Sequence, residues 1–335
     1  MNKKTLRTKF INKDVIEDKD YVKNVPYDVR DEAMSDLLKN VKSNCAKIKR
    51  KTLERFQLKF KSLKCGVQSV VIRTKHFFRK KGEYAFIQEM NKAEYIEPSS
   101  IQHDFRILKD VYGEYWLCLP YKKELKSDRQ AFSFSKYEND GVISLDPGVR
   151  TFLTGYDGYQ KQVIHLGTCQ NVLEKLFFEL DLLESRMSKK KNKRIMKMRK
   201  ACRRKRKRIT NLIKDMHYKI ANFLCANYKT ILIPEFNTQN MMKYEGGRVI
   251  NKCTTRLMGT QSHYTFRQRL IEKSMEYEHC NVIVVNESYT SKTCSECGKL
   301  YDHLGGSKVY KCQGCSMEMD RDVNGAKNIL LKNNK

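Results

Sequence analysis

The sequence predicts a mixed α/β domain preceded by a smaller β-rich module, and three observations support this prediction. Residues 141–166 contain three short apolar runs joined by Gly-containing turns, which is typical of an antiparallel meander. Long amphipathic helical patterns then alternate with two further apolar runs, ending at "CNVIVV". Residues 55–136 carry only short alternating runs, which indicates antiparallel strands.

The charge of the chain indicates a polyanionic partner. The 335 residues include 67 Lys and Arg against 38 Asp and Glu, a formal net charge of +29. Nucleic acid is favoured over a membrane surface, because cations that neutralise phosphates release condensed counterions. No segment approaches the roughly 20 apolar residues of a membrane span, and the N-terminus lacks the apolar centre of a signal peptide. We therefore expect a cytoplasmic or nuclear protein that is neither secreted nor membrane-bound.

The first module begins with a polar segment, residues 1–25, for which no element is predicted. A helix is expected within 25–52, where apolar residues recur at helical spacing and Asp28 is a candidate N-cap. The strands that follow predict a small sheet or barrel in which basic residues alternate with aromatic ones. These aromatic side chains would either stack on nucleic-acid bases or form an ordinary core, and they include Phe77, Phe78, Tyr84 and Phe86.

The second module follows the order strand, strand, strand, helix, strand, helix, strand, which matches an RNase H-like layout. A polar loop is expected between the strand "TILIPEF" and the helix "SHYTFRQRLIEKSMEYE". The first helical region of this second module contains the basic run 189–208, in which 14 of 20 residues are Lys or Arg. Such a run is a solvated helix face, a nuclear-localisation patch or a nucleic-acid contact, and its position between two apolar helices favours the contact. The candidate contacts are Lys197, Arg199, Lys200, Arg203, Arg204, Lys205 and Arg206.

Four of the 12 cysteines form two CxxC pairs separated by 14 residues, "CSEC" and "CQGC". This spacing predicts a zinc ribbon whose ligands are Cys294, Cys297, Cys312 and Cys315. A site closed by four thiolates is structural rather than catalytic. The other eight cysteines lack paired spacing, and we expect them to be reduced and mostly buried.

Three carboxylates stand at the ends of strongly apolar elements. Asp146 follows "VISL", Glu235 follows "TILIP", and Asp322 opens "VNGAKNILL", for which Asp320 is a candidate cap. Each acid alone would be a turn, edge or cap residue. In an RNase H-like layout, however, all three converge on one sheet edge, where they would hold two Mg²⁺ ions about 4 Å apart. One ion would activate water and the other would stabilise the leaving oxygen of a phosphodiester.

Several motifs occur in the order that is found in the OrfB/TnpB family of transposon-encoded RNA-guided DNA endonucleases. They are "SLDPGVRTFLTGYD", "DMHYKIANFL", "ILIPEFNT", "SHYTFRQRL", "ESYTSKTCSECG" and "DRDVNGAKNI". The last motif is most similar to the eukaryotic and viral branch of the family, called Fanzor. The resemblance covers residues from about 20 to 333 and is most specific from 287 onward.

The resemblance implies a RuvC-like nuclease with an inserted zinc ribbon, preceded by a partial β-barrel wedge domain with a helix. It further implies Mg²⁺-dependent hydrolysis of a DNA target, a bound guide RNA, and catalytic roles for Asp146, Glu235 and Asp322. Family members carry a longer N-terminal region, so the wedge domain is expected to be short here. The expected boundaries are 1–25 for the polar segment, 26–138 for the wedge-like domain, 139–289 for the nuclease core with a basic helical hairpin at about 170–228, 290–318 for the zinc ribbon, and 319–335 for the C-terminal RuvC segment.

Two other functions remain open at the level of sequence. One is a zinc-ribbon DNA- or RNA-binding protein that regulates transposition without cutting, as an N-terminally truncated relic. The other is a transposase that joins strands with the same three acids. A nuclease would depend on Mg²⁺ and on all three acids, whereas a binding protein would be indifferent to both.

Overall fold

The chain divides into two compact units, residues 1–122 and 123–335, which are considered separately. The structure is a computed structural model that describes residues 2–12, 22, 24–59, 66–77, 101–125, 141–188, 194–238, 241, 250–301 and 307–333.

The first unit contains a three-stranded antiparallel sheet in the order β1, β2, β3, with Ile72, Ile101 and Phe105 buried in its core. Antiparallel strands were predicted here, and in the described residues they form a sheet rather than a closed barrel. The run "YAFIQEM" and the residue Phe78 lie outside the described residues. The elements are α1 (Lys3–Phe10), α2 (Tyr27–Lys49), β1 (Gln68–Ile72), α3 (Thr74–Phe77), β2 (Phe105–Lys109) and β3 (Tyr115–Cys118).

Two expectations for the N-terminal region were wrong. The polar segment contains the helix α1, which buries Leu6 and is capped by Asn2, whose side chain accepts a hydrogen bond from the Lys4 amide. Asp28 is not the N-cap of α2, because Pro26 occupies that position. Asp28 instead lies in the first turn, 3.5 Å from Arg73, where the helix dipole also favours an acid.

An ion pair joins α1 to α2. Arg7 donates to both carboxylate oxygens of Asp31, at 2.6 and 2.8 Å, and Lys3 Nζ lies 3.0 Å from the same group. Asp31 is only 2% exposed, so its carboxylate depends on these donors in place of water. The hydrogen bond from Arg7 lowers the pKa of Asp31 to about 2.

The second unit contains a five-stranded mixed sheet in the order β6, β5, β4, β7, β8. The strands β4, β5 and β6 are antiparallel neighbours, whereas β7 runs parallel to both β4 and β8. The predicted meander followed by two further strands is therefore confirmed. The bounds are β4 (Val142–Pro147), β5 (Leu153–Asp157), β6 (Gln162–Leu166), β7 (Thr230–Pro234) and β8 (Asn281–Val285).

Helices cover this sheet and bury its central strands. Ile143 and Ile231 of the sheet pack with Leu224 and Phe266 of the helices in one apolar core. Residues 194–208 of the basic run belong to a single long helix, α5, which packs against α4 through a second cluster of buried side chains, and residues 189–193 lie outside the described residues. The helices are α4 (Gln170–Ser188), α5 (Arg194–Asn227), α6 (Lys252–Gln261), α7 (His263–Ser274) and α8 (Arg321–Asn333).

The helix α6 lies where a polar loop was predicted. Its N-cap is Asn251, whose side chain accepts a hydrogen bond from the Cys253 amide at 3.0 Å. Leu257 and Met258 are buried on its inner face, and this short apolar pair was too brief a pattern to indicate a helix. None of the helices in the described ranges has the length and apolar character that crossing a bilayer requires.

We predict that replacing Arg7 by Met lowers the free energy of unfolding by about 1–3 kcal/mol at neutral pH, because it leaves a buried carboxylate without its main donor. The pKa of Asp31 is depressed in the folded state, so this contribution is complete above the unfolded pKa of about 4. It disappears as the pH falls toward 2. Urea unfolding of wild type and variant across this range would measure the difference, with Lys39→Met as the control, since Lys39 makes only exposed ion pairs. If the difference in free energy of unfolding between wild type and Arg7→Met stayed constant as the pH falls, the stabilising role of the Arg7–Asp31 pair would be contradicted.

Candidate functional site

Carboxylates gather at the edge where three parallel strands end. Asp146 lies near the end of β4, and Glu235 directly follows β7. In the parallel register Ser144 is level with Leu232 and Pro234 with Val285, so the ends of β4, β7 and β8 are adjacent. The sheet therefore brings Asp146 and Glu235 to the same edge, as the layout predicted.

The helix α8 approaches this edge so closely that a side chain at position 325 would displace the Asp146 carboxylate. A Cβ atom on Gly325 would lie 2.6 Å from Asp146 Oδ2 and 3.0 Å from its Cγ. One position later, the carbonyl of Ala326 accepts a hydrogen bond from Ser144 Oγ at 2.7 Å. The glycine in "DRDVNGAKNI" thus allows the Asp146 carboxylate to lie against the helix backbone.

Asp322 lies in the first turn of α8. Its amide donates to Asp320 Oδ1 at 2.9 Å, so Asp320 caps the helix as expected. A Cβ on Gly148, in the turn after β4, would lie 3.6 Å from Asp322 Oδ2. The turn that follows Asp146 is therefore close to the Asp322 carboxylate.

The pKa values of these acids reflect both burial and mutual repulsion. Burial raises the pKa of Asp146 well above its usual range, and the charges of Asp322 and Glu287 raise it further. Burial also raises the pKa of Asp322, with Asp320 adding to the effect and Arg321, Lys308 and Arg150 opposing it. Repulsion of this kind is expected where carboxylates share one site.

Glu287 is a fourth acid at this edge, and it was missed in the sequence. It follows β8 by two residues and is half-buried. Burial raises the pKa of Glu287 and the charge of Glu235 raises it further, while Glu287 in turn acts on Asp146. Glu287 therefore links the two predicted acids electrostatically. The signal was present, because an acid after the apolar run "NVIVV" repeats the pattern of Glu235 after "TILIP".

The acids are not packed as tightly as a closed metal site. Among the described residues, one group of three or more His, Cys, Asp or Glu has all its candidate ligand atoms within 4.8 Å of one another, and it consists of the four predicted cysteines. Asp146, Glu235 and Asp322 are all described and do not meet this criterion. Glu235 is exposed, whereas Asp146 and Asp322 are half-buried.

The structure brings together Cys294, Cys297, Cys312 and Cys315, as predicted. Cys294 Sγ lies 3.8 Å from Cys315 Sγ, and Cys297 Sγ lies 3.5 Å from Cys312 Sγ. The second CxxC motif, which contains Cys312 and Cys315, lies between the short antiparallel strands β9 (Val309–Lys311) and β10 (Glu318–Asp320). Backbone donors, including the Gly314 amide at 3.3 Å from Cys312 Sγ, lower the pKa of Cys312 to about 6, which favours its thiolate.

The other cysteines only partly fit the expectation that most are buried. Of the seven described ones, all free thiols, Cys202 and Cys225 are buried and two are intermediate. Three, namely Cys45, Cys118 and Cys253, are exposed.

Two asparagines of α8 hold the cysteine module against the helix that carries Asp322. Asn324 accepts from the Ser295 amide at 3.0 Å and donates to the Thr293 carbonyl at 2.7 Å. Asn328 donates to the carbonyls of Thr290 and Thr293 at 2.8 and 2.6 Å. Both side chains are buried, so these bonds are their only substitute for hydration. The first CxxC loop is thereby fixed to α8.

The seven candidate nucleic-acid contacts all lie on α5, but two are engaged within the protein. Lys205 pairs with Glu179 at 2.5 Å and Arg206 with Glu184 at 2.6 Å, which joins α5 to α4. The remaining five are exposed: Lys197, Arg199, Lys200, Arg203 and Arg204. Arg204 and Arg208 also border a groove of about 460 Å³.

We predict that Asn324→Ala loosens the cysteine module, because it removes two buried hydrogen bonds to that loop. The expected loss of stability is about 1–3 kcal/mol. Amide hydrogen exchange should accelerate at Ser295 and its neighbours. Asn333→Ala is the matched control, since Asn333 lies on the same helix but bonds only to the Ile329 carbonyl. Equal exchange rates in both variants would show that Asn324 does not anchor the loop.

A family model described as "Cas12f1-like, TNB domain" matches residues 263–329. This range contains α7, β8, the cysteine module and the first turns of α8. It therefore includes Glu287 and Asp322 but neither Asp146 nor Glu235.

Relatives from viruses and a bacterium extend the similarity. TnpB-like protein L79 of Acanthamoeba polyphaga mimivirus is 36% identical over 59% of this chain and 38% of its own length, so the chain spans well under half of that relative. A625R of Paramecium bursaria Chlorella virus 1, named as a transposase, is 29% identical over 92% of this chain and 69% of its own length. InsQ of Escherichia coli strain K12, named as an RNA-guided DNA endonuclease, is 27% identical over 56% of this chain and 48% of its own length.

These similarities extend over most of the chain, and the ordered motifs noted in the sequence fall on the elements that form the acid edge and the cysteine module. The chain is therefore similar to proteins named as TnpB-like and as transposases.

Proposed function

We propose that this protein is an RNA-guided DNA endonuclease whose RuvC-like second unit hydrolyses DNA phosphodiesters with two Mg²⁺ ions. The observation that carries the proposal is the convergence of Asp146, Asp322, Glu287 and Glu235 on one sheet edge in a chain of net charge +29. The name of InsQ, an RNA-guided DNA endonuclease, supports the choice of substrate and guide. The names of the two viral relatives, a TnpB-like protein and a transposase, support a transposon-related origin.

The carboxylate set suits a hard divalent cation. Carboxylate oxygens are the preferred ligands of Mg²⁺, and an incoming cation would relieve the repulsion that raises the pKa of Asp146. Asp146, Glu235 and Asp322 would hold the metal. Bound Mg²⁺ would supply an activated water and charge stabilisation at the leaving oxygen. Asp320 fixes the start of the helix that carries Asp322, and Gly325 leaves the space that the Asp146 carboxylate occupies.

The long basic helix α5 would bind the nucleic-acid backbone. Its five exposed candidates can reach phosphates, whereas Lys205 and Arg206 already serve the contact between α4 and α5. Cations that contact phosphates hold DNA or RNA without reading sequence, which is appropriate where a guide RNA supplies specificity.

The cysteine module fits a structural zinc ion. Tetrahedral zinc with Zn–S bonds of about 2.3 Å requires its sulfur atoms to lie about 3.8 Å apart. The observed separations of 3.8 and 3.5 Å agree with this value and are much longer than a disulfide bond of about 2.05 Å. All four ligands would be thiolates of this chain, so the ion would stabilise the fold and leave no position for substrate.

We predict that Asp146→Asn, Glu235→Gln and Asp322→Asn each reduce guide-directed cleavage by at least about 100-fold while leaving nucleic-acid binding within about threefold. The neutral side chains keep the shape of each residue but lose the charge that attracts the metal. The protein would be purified with its co-bound RNA, which would be sequenced to design the matching DNA. Cleavage would then be followed in the presence of Mg²⁺.

Glu318→Gln is the matched control, because Glu318 lies next to the same helix but pairs only with Lys311. Cleavage that survives in all three acid variants would overturn the proposal. Specific RNA and DNA binding without cleavage in wild type would identify the non-cutting regulator instead. Joined rather than hydrolysed DNA ends would identify a strand-transferring enzyme.

We predict one zinc ion per chain, and its loss in Cys297→Ser. The zinc content of purified protein would be measured by mass spectrometry, together with the melting temperature. The variant should melt several degrees lower, because a structural zinc ion contributes directly to folding. Cys253→Ser changes another exposed thiol and should keep the full zinc content. Stoichiometric zinc in Cys297→Ser would exclude the four-cysteine site.

A further inference from the structure

The motif "SHYTFRQRL" and the residue before it contact both turns that carry the strand-borne acids. Gln261 Nε2 donates to the carbonyl of Val149 at 2.8 Å, three residues after Asp146. Arg267, one turn into α7, donates through Nη1 to the backbone carbonyl of Glu235. The segment from the end of α6 to the second turn of α7 therefore contacts both the Asp146 turn and the Glu235 turn.

The ring of His263 fills the space between these two turns. It stacks on Phe152 with ring centroids 4.5 Å apart, and the edge of Phe236 approaches it at 4.9 Å. His263 is only 5% exposed, and burial lowers its pKa to about 4, so the ring is neutral at pH 7 and packs as an aromatic side chain.

The backbone at the Glu235 turn is strained. Phe236 has φ +38°, in the left-handed region that aromatic residues rarely adopt. Such a conformation persists only where surrounding contacts hold it. The contacts at this turn include the packing of Phe236 on His263, the hydrogen bond from Arg267 to the preceding carbonyl, and a hydrogen bond of 3.0 Å from the Thr238 amide to the Phe236 carbonyl.

We propose that Arg267 is a positioning residue that fixes the Glu235 turn, and through it the distance between the Glu235 and Asp146 carboxylates. Arg267 contacts a backbone carbonyl and none of the proposed ligand oxygens, so it acts through Glu235. The inference rests on the proposed function, because positioning matters only if the acids hold a metal. Groups that orient a metal ligand typically change metal affinity by about 10–100-fold when they are removed.

The exposure of Glu235 makes this support necessary. Asp146 is held by the β-sheet on one side and by Gly325 on the other. Glu235, in contrast, follows the last residue of β7 and is exposed. Without the bond to Arg267, the Glu235 turn would lose one of the contacts that oppose relaxation of the strained backbone.

The test measures Mn²⁺ binding by electron paramagnetic resonance, because Mn²⁺ has the same preference for oxygen ligands as Mg²⁺ and is directly observable. Only the sites that disappear in Asp146→Asn are counted, which removes binding to surface acids. Arg267→Met and Arg267→Gln remove or shorten the donor, and Arg267→Lys keeps a donor on a long side chain. Arg256→Met is the matched control, since Arg256 is a neighbouring arginine that contacts Asp181 and the ring of Phe177 instead of the Glu235 turn.

We expect Mn²⁺ to bind at least about tenfold more weakly to Arg267→Met and Arg267→Gln, to return to within about threefold of wild type in Arg267→Lys, and to be unchanged in Arg256→Met. Melting curves identify a variant that fails to fold, in which case the other of Arg267→Met and Arg267→Gln decides. Wild-type Mn²⁺ affinity in folded Arg267→Met or Arg267→Gln would overturn the positioning role and leave the proposed function intact. Absence of the Asp146-dependent site in wild type would overturn both.

Discussion

The close approach of like charges at one sheet edge is the constraint on which the rest of the second unit depends. Burial and the charges of Asp322 and Glu287 raise the pKa of Asp146, and burial and the charge of Glu235 raise the pKa of Glu287, so the proximity of these acids opposes folding. The buried core beneath the sheet holds them together, because its strands and helices cannot move apart without exposing apolar side chains. The arrangement is thus unfavourable by itself and is maintained by packing elsewhere.

Much of this arrangement is predictable from sequence because apolar strands have a strong pattern. "VISLDP", "TILIP" and "NVIVV" are short apolar runs with polar ends, and parallel pairing brings those ends to one edge whatever the details of the loops. The four cysteines are equally predictable, because a tetrahedral site requires paired ligands at short spacing. In both cases the residue types visible in a short stretch of sequence are the ones that the folded site requires, so the pattern alone is enough to predict the site.

The parts that were not predicted depend on contacts between distant residues. The helix α1 has few apolar side chains and is held by the pairing of Arg7 with Asp31, 24 positions away. The helix α6 is short and has only a brief apolar pair, so its pattern resembles a loop. Lys205 and Arg206 form ion pairs with Glu179 and Glu184 of α4 and are therefore not free to bind phosphates. A count of charges along α5 cannot reveal these pairs.

The position of α8 has a consequence for the synthesis of the protein. Asp146 and Asp322 are neighbours in space but are separated by nearly the whole length of the second unit. A chain still on the ribosome has its basic helix α5 long before α8 emerges to complete the acid edge. Under the proposed function, the nascent protein would attract nucleic acid before it could cut it, and the slow, non-local pairing of α8 with β4 would set the moment at which cleavage becomes possible.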